Sequence, residues 1–305
     1  MHSRPYIFSG TWSYASRNSG ISLIVLTTTD HSRDSAGLSY VYPVISRRSG
    51  GLSIGINLNP NNACNWRCIY CQVPDLIRGT SPEINLQQLQ KELDEFLNDV
   101  INGDFYDRYE VAEDLRTIKD IAISGNGEST SAAEFDQVIK LIAHSMSRFT
   151  LQDKIKLVLI TNGSLAHKEI VQSGLETMNS NNGEVWFKLD SGTDAGLKNI
   201  NNAGLSIERV KENLKIVSAL CPTWLQTCVF KLDGELPSRN ECESYLKFLS
   251  CLEDENIKVN GVLLYGLARP SMQIEAPRLS SVTEAWMDKF AEEIKQLGFK
   301  TKISH

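Results

Sequence analysis

The sequence predicts an α/β protein: an open (β/α)6 partial barrel with a polar interior, preceded by an N-terminal extension. Three observations carry this expectation. From about residue 51 onward, six strand-like runs alternate with six helix-like segments, the pattern of a parallel sheet with helices outside. Several runs are apolar on one face only, whereas parallel strands packed on both faces usually read as continuous apolar stretches. The first run leads straight into three cysteines spaced C-x3-C-x2-C.

Residues 1–50 are rich in Ser, Thr, Gly and Arg and hold two β-like runs, 21–27 and 38–45. They read as an extension of a few strands or loops covering one end of a main domain at 51–305. The strand-like runs of that domain are 52–58, 118–123, 155–161, 184–189, 223–230 and 259–265. Its helix-like segments are 86–100, 133–147, 165–178, 207–220, 238–252 and 282–297, with Asn85, Ser206, Ser238 and Ser281 standing where N-caps belong. Side chains alternate across a strand. In the first run Ile54, Ile56 and Leu58 therefore oppose Gly55, Asn57 and Asn59. In the fourth, Val185, Phe187 and Leu189 oppose Trp186, Lys188 and Asp190; in the fifth, Leu225 and Val229 oppose Trp224, Gln226 and Cys228. The apolar faces should meet the helices, which leaves small and polar residues to line a cavity. The competing architecture is a doubly wound open sheet, where ligands also bind beyond the carboxyl ends of the strands.

Composition narrows the function. The chain has 305 residues, 41% apolar and 22% charged, enough for a substantial core. With no run of 18 apolar residues and no signal-peptide core among the first residues, no membrane span and a cytoplasmic location are expected. Seven cysteines, three of them clustered, fit metal ligation in a reducing compartment better than a disulfide framework. A net charge of −6 provides no global basic field for a nucleic acid backbone, although Arg47, Arg48, Arg67 and Arg78 flank the cysteine loop.

Cys64, Cys68 and Cys71 fall within eight residues, and soft thiolates at such spacing select an iron–sulfur cluster or zinc. A closed site takes four protein ligands; three leave one metal position open. On spacing alone, a zinc loop completed by a distant residue and a set of reduced structural cysteines both stay open. The loop resembles the signature of the radical S-adenosylmethionine (SAM) superfamily, including the aromatic Tyr70 before the last cysteine. The second strand-like run ends in Gly125, Asn126, Gly127 and Glu128, which resembles the Gly-Gly-Glu-Pro motif of that superfamily. It departs from the motif by Asn126 before the second glycine and by Ser129 where proline is usual.

The resemblance, over roughly residues 51–300, implies a [4Fe–4S] cluster on Cys64, Cys68 and Cys71, with SAM on the free iron. It implies further SAM contacts from Tyr70, from the turn Gly125, Asn126, Gly127 and Glu128, from Asn162 at the end of the third strand, and from Lys188 and Asp190. The last two have a structural alternative, a network between themselves. It also implies an electron from reduced flavodoxin or ferredoxin, and reductive cleavage of SAM to a 5′-deoxyadenosyl radical that takes hydrogen from a substrate. Cys228, sharing a strand face with Gln226, is a candidate hydrogen donor or substrate ligand, with a small buried filler as the alternative. Gln226 and Arg269, the latter in the loop after the sixth strand, are candidate substrate contacts. Cys221, Cys242 and Cys251 match no tight cluster loop. Within the superfamily the stretch Cys68, Ile69, Tyr70, Cys71 and Gln72 resembles the iron–sulfur oxidoreductases grouped with wybutosine-synthesis enzymes, which act on a modified guanosine in tRNA. The acidic balance favours a small metabolite or peptide over RNA as substrate. A non-catalytic iron–sulfur or zinc module is the alternative of a different class.

Overall fold

Eight strands hydrogen-bond to one another in the order of the chain. In the computed structural model, which describes residues 37–46 and 50–304, they are β1 (Val41–Ser46), β2 (Gly51–Ile56), β3 (Ile118–Ile123) and β4 (Lys156–Thr161), then β5 (Gly183–Lys188), β6 (Thr223–Val229), β7 (Val262–Gly266) and β8 (Thr301–Ser304). β1 is antiparallel to β2 and every later pair is parallel. Parallel neighbours need a right-handed crossover, and a strand order that never reverses sends every crossover over the same face. Helices α1 (Leu86–Asn102), α2 (Phe135–Arg148), α3 (Glu169–Asn179), α4 (Asp194–Asn201), α5 (Ile207–Leu220), α6 (Arg239–Asp254) and α7 (Glu284–Gln296) therefore lie outside. The sheet curls around the other face into a half barrel. A doubly wound sheet would reverse strand order at a switch point, and this sheet has no reversal.

β2 to β7 are the six anticipated strands. β1 lies within the stretch expected as an extension and forms the first strand of the main sheet. The run at 21–27, Arg47 and Arg48 lie outside the described residues. α4 and β8 had no anticipated counterpart. Asn85, Ser206 and Ser238 cap their helices through side-chain acceptors at 3.1, 3.2 and 3.2 Å. Ser281 does not: the cap of α7 is Thr283, whose hydroxyl accepts from Trp286 N at 3.3 Å.

The alternation along the strands divides the two faces. Ile54, Ile56, Leu58, Val185, Phe187, Leu189 and Leu225 are fully buried in the core cluster with Leu89, Leu93 and Leu97 of α1 and Val138, Ile139 and Ile142 of α2. Burying one such side chain contributes about 1.5–3 kcal/mol. Ser53 and Gly55 of β2, Lys188 of β5 and Gln226 and Cys228 of β6 face the interior instead, where they line a cavity. Among the described residues no helix is long and apolar enough to cross a membrane.

Candidate functional site

The cavity lies within the half barrel and reaches the carboxyl ends of the strands, with a volume of about 360 Å³. Cys64, Cys68 and Cys71 line it, as do Tyr70, Gly125, Asn126, Gly127, Glu128, Asn162, Lys188, Gln226, Cys228 and Arg269. Asp190 does not line it. It is buried and accepts hydrogen bonds from the Tyr70 hydroxyl, from Asn201 Nδ2 at 2.7 Å and from Cys228 N at 2.9 Å.

Three sets of contacts hold the cysteine loop. At its start, Asn57 follows β2 and its Oδ1 accepts from Asn59 N at 3.0 Å and Asn126 N at 2.9 Å. Ala63–Cys64 then pairs with Ile77–Arg78, closing the loop on itself. Its middle is sewn to the end of α4: Arg67 N donates to Asn201 O at 3.1 Å, Ile69 N to Ile200 O at 2.8 Å and Asn202 Nδ2 to Arg67 O at 2.9 Å. Its far end is held by the segment after β7. Ser271 Oγ donates to Ile69 O at 2.7 Å, Met272 N to Cys71 O at 2.9 Å and Gln273 Nε2 to Val73 O at 3.0 Å, while Arg67 and Glu275 form a two-point ion pair at 2.8 and 2.6 Å. Asn57, Asn201, Ser271, Gln273 and Glu275 are positioning residues that sequence reasoning did not assign. Only Asn57 carried a signal, its place on the polar face of β2.

The three cysteines are free thiols. Cys64 Sγ accepts from Trp66 N at 3.4 Å and Cys68 Sγ from Asn201 Nδ2 at 3.2 Å. Burial, with the Glu128 charge adding to it, pushes the Cys64 thiol up to about 12. Burial also pushes Cys68 up to about 11, against the pull of the Lys188 charge. Both are protonated at neutral pH, so metal ligation must displace their protons. Among the described residues no three His, Cys, Asp or Glu side chains are placed to hold one ion. Thiolates of a polynuclear cluster each bind a different iron and need no common point.

The turn after β3 is built against the cysteine loop. A Cβ on Gly127 would enter the Ala63 carbonyl oxygen and stand 2.8 Å from Asn59 Cγ, so only glycine allows this approach. Asn126 Nδ2 donates to Asn62 Oδ1 at 2.6 Å. Glu128 is buried, and Oε1 accepts from Thr130 N, Thr130 Oγ1 and Thr161 Oγ1 at 3.2, 2.6 and 2.6 Å. Among the described residues Oε2 accepts only from Asn162 N, at 2.7 Å, which leaves it one lone pair. Glu128 is thus first a strut between the β3 turn and the end of β4. Asn162 Nδ2 continues the network to Asn65 of the cysteine loop at 2.8 Å.

Lys188 and Asp190 do not pair with each other. Lys188 Nζ lies 3.4 Å from the Tyr265 hydroxyl and 5.0 Å from the centre of the Tyr70 ring. Burial opposes its charge, but Tyr265 and Asp190 outweigh that and hold the ammonium well above its ordinary pKa. Burial and then the Asp190 charge raise the Tyr70 phenol well above its ordinary value, so it remains a donor. Cys228 is raised by burial and by the Asp190 charge, and stays a thiol.

The donor set fits an open cluster with SAM beside it on two grounds. Three free thiols share one cavity wall with a half-buried lysine. Two buried acceptors on that cavity's lining residues, Gln226 Oε1 and Asn126 Oδ1, have no hydrogen-bond partner among the described residues. Unsatisfied buried acceptors are costly unless a ligand donor meets them, and SAM carries an ammonium, hydroxyls and an exocyclic amine.

The chain is 26% identical over 241 residues to a UPF0026 protein of Helicobacter pylori, covering 78% of this chain and 68% of that one. Its fold is similar to a structure of TYW1 with a lysine-pyruvate adduct bound (TM-score 0.51, 16% identity, 80% of this chain and 73% of that one). It is also similar in fold to a radical SAM methyltransferase from Sphaerobacter thermophilus (TM-score 0.50, 12% identity, 83% of this chain and 66% of that one). At such identities the structural likenesses show the fold and nothing finer. The model of the Radical SAM superfamily matches residues 58–235, more than half of the chain, from just before the first cysteine to beyond β6. The chain belongs to the radical SAM superfamily, enzymes that use a [4Fe–4S] cluster and S-adenosylmethionine.

Proposed function

We propose that the protein is a cytoplasmic radical SAM enzyme acting on a small metabolite or peptide, with the cluster on Cys64, Cys68 and Cys71 and SAM in the adjoining cavity. The observation that carries the assignment of residues is the pair of unpartnered buried acceptors, Gln226 Oε1 and Asn126 Oδ1, on the cavity that the three thiols line. When bound and reduced by one electron, for which flavodoxin or ferredoxin is the donor, cluster and SAM supply the hydrogen-abstracting chemistry.

The protein's own part is to bind, orient and shield. Cys64, Cys68 and Cys71 lose their protons to become ligands. Asn126 and the free lone pair of Glu128 Oε2 offer acceptors to the SAM ammonium, and Lys188 offers a cation to its carboxylate. Tyr70, whose hydroxyl is committed to Asp190, presents its ring and backbone. Gln226 holds a donor group of the ligand or substrate, Arg269 lines the cavity as a contact for an anionic substrate group, and Cys228 is within the wall as a weakly acidic thiol. The small volume of the cavity, about 360 Å³, and the net charge of −6 support a compact substrate over an RNA backbone.

The test is anaerobic reconstitution followed by dithionite and SAM. Formation of 5′-deoxyadenosine is the expected result; SAM recovered intact from iron-loaded protein overturns the proposal. Retention of bulk tRNA at two salt concentrations, falling steeply with salt, would transfer the substrate assignment to RNA.

A further inference from the structure

The proposed function gives Asn201 no chemical part, yet its side chain reaches one of the three cysteines, Cys68. It is the last residue of α4 and fully buried. Its Nδ2 is 3.2 Å from Cys68 Sγ and 2.7 Å from Asp190 Oδ2. A primary amide has two N–H groups, one for each of these acceptors. Its Oδ1 has no partner among the described residues, where the side chain is held through its donor end alone.

The surroundings make this contact rigid. The carbonyls of Ile200 and Asn201 accept from Ile69 N and Arg67 N on either side of Cys68, so the helix end and the loop move as one piece. Asp190, itself held by the Tyr70 hydroxyl and Cys228 N, fixes one N–H and thereby aims the other at the sulfur.

We propose that Asn201 is a positioning residue that sets the reduction potential of the cluster through an N–H···S hydrogen bond to Cys68. The inference rests on the assignment of the cluster to Cys64, Cys68 and Cys71. A donor facing a cluster sulfur strengthens as the cluster gains negative charge, so it favours the reduced state and raises the potential.

The experiment compares wild type, Asn201→Leu and Asn202→Gly, each reconstituted anaerobically, by iron content and by redox titration followed through electron paramagnetic resonance. Asn201→Leu keeps the branched shape and removes the donor. With iron content equal to wild type, its ratio of reduced to oxidised cluster at a fixed potential is expected to fall about tenfold, 59 mV for a one-electron couple. Asn202→Gly loses only the tie to Arg67 O and retains the left-handed backbone at φ 48°, so it should titrate with wild type. A ratio within twofold of wild type in Asn201→Leu overturns the proposal, as does an equal shift in Asn202→Gly. If Asn201→Leu takes up no iron, Asn201→Ala is read in its place; failure of both to load shows a purely structural role and also overturns it. A wild type that binds no cluster fails the underlying assignment instead, which iron content alone reveals.

Discussion

Replacing Glu128 by Gln separates two roles that the turn after β3 can have, ligand cradle and strut. Gln has the same shape, and its best placement keeps the carbonyl on the three donors that Oε1 now serves, Thr130 N, Thr130 Oγ1 and Thr161 Oγ1. Its NH2 group then faces Asn162 N–H across 2.7 Å, donor against donor. A hydrogen bond to a charged group is lost, worth about 1.5–3 kcal/mol, and the three that remain become neutral and weaker. A destabilisation of roughly 3 kcal/mol follows, which a fold with about 5–15 kcal/mol in hand survives. The assay is urea unfolding of the cluster-free proteins. With a slope of about 3 kcal/mol/M for a chain of this size, the midpoint falls by roughly 1 M. Because Thr161, the last residue of β4, and Asn162 just after it line the cavity, 5′-deoxyadenosine formation in the loaded variant should drop as well. An unchanged urea midpoint accompanied by weaker SAM binding would refute the reasoning, since it would make Glu128 a ligand and not a strut.

Single replacement of Cys64, Cys68 or Cys71 by Ala should bring iron content close to zero while far-ultraviolet circular dichroism stays that of wild type; a variant with normal iron removes that residue from the ligand set. Gln226→Leu eliminates a buried acceptor that lacks a partner, so the cluster-free protein should be equally or more stable, whereas turnover with SAM should fall about tenfold, a hydrogen bond's worth. A stability loss in the cluster-free protein would show that Gln226 is satisfied without ligand. The Arg67–Glu275 pair predicts a pH dependence. The Arg67 guanidinium holds the Glu275 carboxyl below its usual range, so the contribution of the pair is complete above the unfolded-state value and disappears as pH falls through the lower folded value. The gap in thermal stability between wild type and Glu275→Gln, about 1 kcal/mol or less for a pair this close to the surface, should be present at pH 7 and close once pH drops well below about 4. A gap that stays constant across that window would show that the ion pair is not its source.

What was legible in the sequence is what a strand or helix writes into its own side chains. The period-two alternation of β2, β5 and β6 announced both the helix-packed face and the lined cavity, because each face meets a single environment along its whole length. α5 was legible to the residue, since Ser206 caps it and its buried positions Val210, Leu214 and Val217 recur at helical spacing. α4 was not: its eight residues bury only Gly196, Leu197 and Asn201, too few for a periodic face, and it acts through two backbone carbonyls and one amide. Arg67 and Glu275, 208 positions apart, meet only once the barrel has brought β7 round to the cysteine loop.

The glycine turn shows how far a motif's letters can depart while its geometry holds. Ser129, standing where the family has proline, is fully buried and its hydroxyl makes no hydrogen bond among the described residues, so the position requires only a small residue that fills space. Asn126 does more than replace a glycine. Its amide reaches Asn62 and its backbone N–H reaches Asn57, tying the turn to both ends of the segment that precedes Cys64. The departures that weaken the match as text therefore tighten the joint between the turn after β3 and the cysteine loop, and they leave Asn126 Oδ1 without a hydrogen-bond partner among the described residues.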